Sequence, residues 1–447
     1  MHEEMVKFDN LSFKEVTIKG PVISEKVIES SPYLQYDYGK IKINNTLSDD
    51  IYIPYNMETN HFFIAGAPGS GKTQFLFPFL EQVRKRKDKV FLYDLKGDFT
   101  QSISVVEGSQ IILLAPWDKR GFAWRIGEDI YNPQLAREFA LRIIHDTEEP
   151  IYATSARMIL AGIIIYLQKE LGTRWGINDL ISTLLQEREG LYNILKDYAP
   201  EAAEIIREPT KLTQNVLTNL FSSISLLLDL AEFWKNAKHS FSVKDLINRE
   251  TPFTFVMQGH GLYKSMSNAL ISSVVMAASA EIEMLTDSKE RRLWFFLDEL
   301  PQLGELSGLT TLLEIGRSKG ACVVLATQNL NQLINIYGED TAYSIQAMCN
   351  THIYCRVSVG KTANSISENL GVREVIRQSP LTNSLGFAQG YSYVKEYSPS
   401  VPSFFLSNEL GAKEDGINIL LVGVDQNYIK CKIPYFLIKK IRKRVVF

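Results

Sequence analysis

Residues 66–73 read Gly66-Ala67-Pro68-Gly69-Ser70-Gly71-Lys72-Thr73, and every position of the phosphate-binding pattern G-x-x-x-x-G-K-[ST] is met. Glycines serve there because backbone N–H groups must turn inward around phosphate oxygens, which calls for positive φ and no Cβ in the way. A helix opening at Thr73 adds its dipole, Lys72 reaches the β- and γ-phosphates, and the Thr73 hydroxyl is placed to hold Mg²⁺. The implied ligand is a nucleoside triphosphate, ATP with Mg²⁺. A second Gly-Lys-Thr, at Gly360-Lys361-Thr362, has Cys355 where the loop needs its first glycine and is read as a decoy.

Three further groups carry chemistry of the same kind. Leu293-Trp294-Phe295-Phe296-Leu297 is an apolar run ending in Asp298-Glu299. A buried strand delivering those carboxylates at its tip lets Asp298 hold Mg²⁺ and Glu299 polarise an attacking water as general base. The alternative is a strand followed by an acidic turn. Ala321-Cys322-Val323-Val324-Leu325-Ala326-Thr327 is another apolar strand, and Gln328 at its tip can donate to phosphate and orient water, or simply begin a loop. Leu309–Lys319 reads as a helix with Arg317 near its end, where an arginine is often a solvated dipole partner.

Strands and helices alternate from 61 to about 172, from His61–Ala65 through the helix after the loop to Val90–Asp94, which predicts a parallel sheet built from βαβ units. Between 173 and 240 strand-like runs vanish, and helical periodicity takes over in Leu180, Ile181, Leu184, Leu185 and again in Leu217, Leu220, Phe221, Ile224, Leu227, Leu228. The expected organisation is a strand-rich N-terminal segment (1–50), a nucleotide-binding domain in two parts (51–172 and 241–447), and an all-α domain (173–240) inserted between them. Tyr36–Ile43 alternates like a half-buried strand. The Ser-, Pro- and Gly-rich stretch 379–403 reads as a long surface loop.

A formal net charge of −3 and a pI near 6.2 carry no global nucleic-acid signature, so any DNA contact must use a local basic surface such as a ring lumen. Cys349-x-x-His352-x-x-Cys355 invites a zinc reading, but no second Cys/His pair is nearby, and buried thiols are the better account. The longest apolar stretch, Met158–Leu167, is short of the ~20 residues a bilayer requires, and the N-terminus shows no apolar signal region, so a cytoplasmic protein is expected. Lys439-Lys440-Ile441-Arg442-Lys443-Arg444 is either a solvated helix end or a contact for phosphates or anionic lipid. Arg84-Lys85-Arg86-Lys87 reads as complementing the C-terminal dipole of the phosphate-loop helix.

Ile53-Pro54-Tyr55-Asn56-Met57-Glu58-Thr59-Asn60-His61, Tyr93-Asp94-Leu95-Lys96-Gly97-Asp98-Phe99 and Trp294–Leu303 resemble the corresponding motifs of the conjugative coupling proteins of type IV secretion systems, the TraD/TrwB group. Gly316-Arg317-Ser318-Lys319-Gly320, Thr327-Gln328-Asn329-Leu330-Asn331-Gln332-Leu333 and Tyr337-Gly338 extend the resemblance, which covers roughly residues 19–430. It implies an α/β fold: a RecA-like P-loop NTPase with a mostly parallel central sheet, and an all-α domain at the cytosolic mouth of a hexameric ring around a DNA channel. It further implies Lys72, Asp298, Glu299 and Gln328 acting in cis, with Arg317 as an arginine finger in trans. Family members usually carry two membrane helices ahead of the segment matching Lys19-Gly20, where this sequence has about eighteen residues. A membrane-free member and a polypeptide without that segment are both compatible readings.

The function so implied is an ATP-driven DNA pump that brings relaxase-bound DNA to a conjugation apparatus. Its expected partners are DNA (a single strand, with strandedness open), a relaxase or other secreted protein, and secretion-channel components. The expected assembly is a homo-hexamer that is monomeric when dilute, in the cytoplasm or at the cytoplasmic face of the inner membrane through its partners. Two other readings stand beside it. One is an ATPase module whose all-α domain and 379–403 segment recruit protein cargo. The other is a cytosolic translocase like HerA or FtsK, acting in repair or defence.

Overall fold

The computed structural model describes residues 3–8, 11–25, 41–382 and 388–447. The chain forms two compact units, one from Met1–Gln82 with Val324–Leu437, the other from Val83–Val323 with Ile438–Phe447.

In the first unit the strand Phe62–Ala65 is the centre of a sheet. Parallel neighbours flank it on both sides, Thr351–Tyr354 and the second half of Ala321–Thr327, in a register that sets Ala65 opposite both Tyr354 and Thr327. Antiparallel strands Gly416–Val422 and Tyr428–Ile433 continue the sheet beyond Thr351–Tyr354, and Ile23–Ser24 closes that edge. All four residues of Phe62–Ala65 are buried, which is why this strand is a continuous apolar run with no alternation. A separate antiparallel sheet has the order Glu3–Phe8, Leu11–Lys19, Val372–Thr382, Ala388–Pro399.

That last pair corrects an expectation. Most of the segment expected to be a surface loop at 379–403 belongs to the two arms of a hairpin that pairs from Val372↔Pro399 to Thr382↔Ala388. Both faces of its outer arm are largely exposed, Tyr393 at 68% on one and Val394 at 44% on the other, so no alternation of apolar and polar residues marks it as a strand. Of the expected Tyr36–Ile43 strand, Ile41–Ile43 pairs with Ile51–Ile53, and 36–40 lie outside the described residues.

In the second unit four parallel strands run in the order Leu293–Leu297, Lys89–Asp94, Phe253–Gln258, Gln110–Leu114. Phe91 stacks on Phe295 at 4.7 Å between ring centroids and meets Phe253 edge-on at 5.3 Å, fixing the register of three strands through aromatic volume. Helices alone fill 177–234: Ile177–Leu184, Arg188–Tyr198, Pro200–Ile206 and Lys211–Trp234. Among the described residues two helices, Pro150–Leu171 and Lys211–Trp234, are long and apolar enough to cross a membrane by length and composition. The first is a packed helix of its unit, with Ile159, Leu160, Ile163 and Ile164 wholly buried.

Two basic segments depart from their expected roles. Arg84 stands in the last turn of its helix but does more than complement the dipole: it is 1% exposed, and its guanidinium donates to Thr254 Oγ1 at 2.9 Å and to the Ser104 carbonyl at 2.6 Å. Residues 438–447 are not a helix end. They run irregularly, and Ile441 N and Arg442 N both donate to the Gln101 carbonyl, while Gln258 Nε2 donates to the Arg444 carbonyl.

Candidate nucleotide site

In the first unit the strand Phe62–Ala65 delivers the phosphate loop and the helix Lys72–Lys85 leaves it. Gly69 and Gly71 have φ of 70° and 105°, the left-handed region that glycine enters without strain. Gly66 is held by volume instead: a Cβ there would lie 2.7 Å from the Cys355 Cβ and 2.5 Å from Ser70 Oγ. The loop is anchored through its backbone, Gly66 N donating to the Thr327 carbonyl at 3.2 Å and Ala67 N to the Arg356 carbonyl at 2.8 Å. Lys72 is 7% exposed, and its Nζ donates to the Gly66 carbonyl at 2.6 Å, so the ammonium is held inside the loop. The Thr73 side chain is half-buried at the first turn of the helix.

The Gly66–Thr327 bond also ties the loop to the tip of the strand bearing Gln328, which is half-buried one residue further on. This tip is braced by the segment read as a decoy. Asn329 Oδ1 accepts from Thr362 Oγ1 at 2.8 Å and from Asn331 N at 2.9 Å. The second Gly-Lys-Thr thus holds no phosphate loop of its own, and its threonine buttresses the turn that carries Gln328.

In the second unit Leu293–Leu297 is wholly buried and pairs with Lys89–Asp94 in a register that sets Leu297 opposite Tyr93. Asp298 is half-buried, and Glu299 is 4% exposed with φ 59° and ψ 48°. A left-handed glutamate costs roughly 1–2 kcal/mol, a strain of the kind that structures retain where a side chain must be aimed. Tyr93 opens the Tyr93–Phe99 motif quoted from the sequence but was given no role there. Its hydroxyl is buried without a hydrogen-bond partner among the described residues; burial pushes its pKa up, with Asp298, Asp94 and Glu299 adding to the shift. Asp94 Oδ2 accepts from Thr100 N at 2.6 Å and Thr100 Oγ1 at 2.7 Å; burial raises its pKa, and those two bonds oppose the rise. The available signal for Tyr93 was its place beside Asp94 at the end of the apolar run Val90–Asp94.

Arg317 departs from its expected setting. The helix spans Leu309–Glu314, and Arg317 lies beyond it, exposed on the turn that leads to Gly320. Gly316, just past the helix, is packed so closely that a Cβ there would meet the Leu312 carbonyl at 2.2 Å.

The zinc reading of Cys349, His352 and Cys355 fails on geometry. The thiols are buried and their pKa values are pushed up, and no group of three or more potential metal ligands occurs among the described residues. For nucleotide the residues fit: a glycine cradle that a Cβ would fill, a buried lysine ammonium in it, and a hydroxyl at the helix start.

The family model of the type IV secretion-system coupling protein DNA-binding domain matches residues 48–395. The coupling protein TraD of Escherichia coli (strain K12) is 27% identical over 342 residues, which are 74% of this chain and 46% of TraD. The type IV secretion system-coupling protein VirD4 of Bartonella quintana (strain Toulouse) is 23% identical over 256 residues, 54% of this chain and 39% of VirD4. The chain therefore spans less than half the length of these curated relatives. Among solved structures, the bacterial conjugative coupling protein TrwBdeltaN70 matches with a TM-score of 0.77 at 20% identity over 98% of each chain. The plasmid coupling protein TrwB in complex with ADP and Mg²⁺ matches at 0.75 and 21% identity, over 98% of this chain and 99% of that one. These likenesses bear out the expected α/β class, a RecA-like P-loop NTPase with a mostly parallel central sheet. With a family model covering most of its length and the family's motifs standing at the strand tips just described, the chain belongs to the coupling proteins of type IV secretion systems.

Proposed function

We propose that this chain is the motor part of a coupling protein, hydrolysing Mg·ATP to move DNA and its bound protein cargo toward a type IV secretion apparatus. The observation that carries the reading is the buried Lys72 ammonium inside a cradle shaped by Gly66, Gly69 and Gly71. Support for the nucleotide comes from TrwB, which has been solved with ADP and Mg²⁺ and with a non-hydrolysable ATP analogue. Support for DNA comes from the name of the matching family model.

In this reading the backbone N–H groups of 69–73 and Lys72 bind the β- and γ-phosphate oxygens, while Thr73 and Asp298 hold Mg²⁺. When bound, the metal supplies charge neutralisation at the phosphates. Glu299 accepts the proton of the attacking water, Gln328 orients that water, and Arg317 neutralises transition-state charge on the nucleotide of a neighbouring subunit. The domain plan is 1–50, then the two motor parts 51–172 and 241–447, with the all-α insertion 173–240; the working assembly is a homo-hexamer.

The test is ATP hydrolysis by the purified chain with and without DNA. We expect Mg²⁺-dependent turnover, stimulated by DNA and rising per subunit with protein concentration. A folded chain that binds no nucleotide overturns the motor reading. Turnover indifferent to DNA but stimulated by a secreted protein overturns DNA pumping in favour of cargo recruitment.

A further inference from the structure

Two sequence features have no part in the proposed nucleotide site, the loop Leu95–Gly97 and the basic run Lys439–Arg444. They meet in the second unit, where a Cβ on Gly97 would lie 2.6 Å from Arg444 Cγ. Residues 438–447 form no helix or strand there and cross the segments at the ends of three parallel strands, Lys89–Asp94, Phe253–Gln258 and Gln110–Leu114.

The groove they occupy holds main chain. The Gln101 carbonyl accepts from Ile441 N at 2.8 Å and Arg442 N at 3.0 Å. The Arg444 carbonyl accepts from Gln258 Nε2 at 3.1 Å and Arg120 Nη2 at 3.3 Å. Val446 is held at both its backbone groups: its N–H donates to Asp118 Oδ2 at 3.0 Å, and its carbonyl accepts from Lys119 N at 2.8 Å. Asp118, 3% exposed, is itself fixed by Arg120, through Nε at 2.9 Å and Nη2 at 2.6 Å. An extended peptide is captured in this way, with backbone bonds for affinity and side-chain seats for selection. The seats here are the space over Gly97, which admits the Arg444 stem, and His260, whose ring meets Phe447 edge-on at 6.4 Å.

The resident segment fits loosely. Residues 438–447 include five Lys or Arg and no acid, so like charges repel along them. Ile441 and Phe447 remain 54% and 68% exposed and gain little from burial. Gln258 Oε1, on a side chain 1% exposed, has no hydrogen-bond partner among the described residues.

We propose that this groove is a peptide site for an extended basic–apolar strand, filled in cis by residues 441–447, and that its filling steadies the proposed catalytic carboxylates. The second half rests on the motor reading above. Gln101 belongs to the helix Asp98–Ser102, whose Thr100 donates to Asp94 Oδ2 through N at 2.6 Å and Oγ1 at 2.7 Å. Asp94 ends the strand paired with Leu293–Leu297, which carries Asp298 and Glu299 at its tip. Emptying the groove removes the bonds of Ile441 N and Arg442 N to Gln101, and that of Arg442 Nη1 to the Ile103 carbonyl. Asp94, and the carboxylate tip beside it, are then held less firmly.

The test keeps the full chain and empties the groove with Ile441→Pro and Val446→Pro, which delete two donors and leave the groove itself intact. Trypsin should cut within 442–447 faster in this variant than in the wild type; equal resistance overturns the main-chain reading. A fluorescent peptide of sequence 438–447 should bind the variant, and the wild type about 100-fold more weakly, because a tethered resident competes at millimolar effective concentration. Adding Gln258→Leu should weaken the peptide roughly five-fold, the loss of one hydrogen bond. The site is overturned by a trypsin-sensitive variant that binds no peptide, by equal binding to variant and wild type, or by equal binding of a scrambled peptide. In ATP hydrolysis the variant should lose roughly ten-fold in kcat with KM unchanged, and saturating peptide should restore it. Peptide binding without any effect on kcat overturns the link to the carboxylates. A wild-type chain that hydrolyses no ATP overturns the motor reading instead, and the peptide measurements judge the groove without it.

Discussion

At the scale of single residues, the neighbours Asp298 and Glu299 have been given different work, and their settings differ accordingly: one half-buried, the other 4% exposed in a left-handed conformation. Glu299→Gln preserves size but cannot take a proton, so it should bind Mg·ATP normally and lose roughly 10²–10⁴ in turnover. Asp298→Asn should instead raise the Mg²⁺ concentration needed for half-maximal activity; titration of both variants with Mg²⁺ separates the roles, and two identical phenotypes would refute the division. His352 offers a stability test. Its ring packs at 5.8 Å from Phe63, and burial pushes its pKa down to about 4. Because the folded value lies below the unfolded one, the stabilisation of the neutral imidazole is present above pH ~6.5 and lost as pH falls toward ~4, amounting to about 3 kcal/mol at most. Melting temperatures measured from pH 7 to 4 should fall less steeply for His352→Gln than for the wild type.

At the scale of elements, Gly320 links two strands of the proposed site. Its carbonyl accepts from Leu293 N at 3.0 Å, its φ is 88°, and a Cβ would come within 2.3 Å of the Arg291 carbonyl. Gly320→Ala should therefore cost roughly 3 kcal/mol from left-handed strain and overpacking. Calorimetry checks this, and an unshifted melting temperature would mean that the backbone relaxes freely there. The same contrast between local and distant causes decides what was legible in the sequence. The phosphate loop, its strand and its helix are dictated by neighbours in the chain, so Gly66–Thr73 could be read directly. The buried strands ending at Asp298 and Gln328 announced themselves as unbroken apolar runs. Arg84 could not be read, because its partners Thr254 and Ser104 are remote in sequence. The 372–399 hairpin was hidden for the opposite reason: with little side-chain burial on its outer arm, backbone pairing alone defines it. The end of the helix at Glu314, three residues before Arg317, was not legible either, because the apolar periodicity does not mark where the helix stops.

At the scale of the whole molecule, the role proposed for Arg317 requires more than one chain. It is exposed on a turn outside the helix Leu309–Glu314, where a guanidinium can reach a neighbour. Arg317→Ala should bind ATP as the wild type does and lose about 10³–10⁵ in turnover. Mixed with Lys72→Ala protein it should regain part of that activity, since some interfaces then pair an intact loop with an intact finger; exchange-competent mixtures that recover nothing would refute action in trans. The arrangement of the chain in its first unit has a further effect, on synthesis. Phe62–Ala65 acquires its two partner strands from residues 324–327 and 351–354, about 260 and 290 residues later. At about 5–20 residues per second the ribosome needs on the order of ten to sixty seconds to supply them. The continuous segment 83–323 can collapse in that interval. The nascent phosphate-loop strand, Phe-Phe-Ile-Ala, meanwhile waits with both edges unpaired, which makes the motif most needed for catalysis the part of the newborn chain most in need of a chaperone.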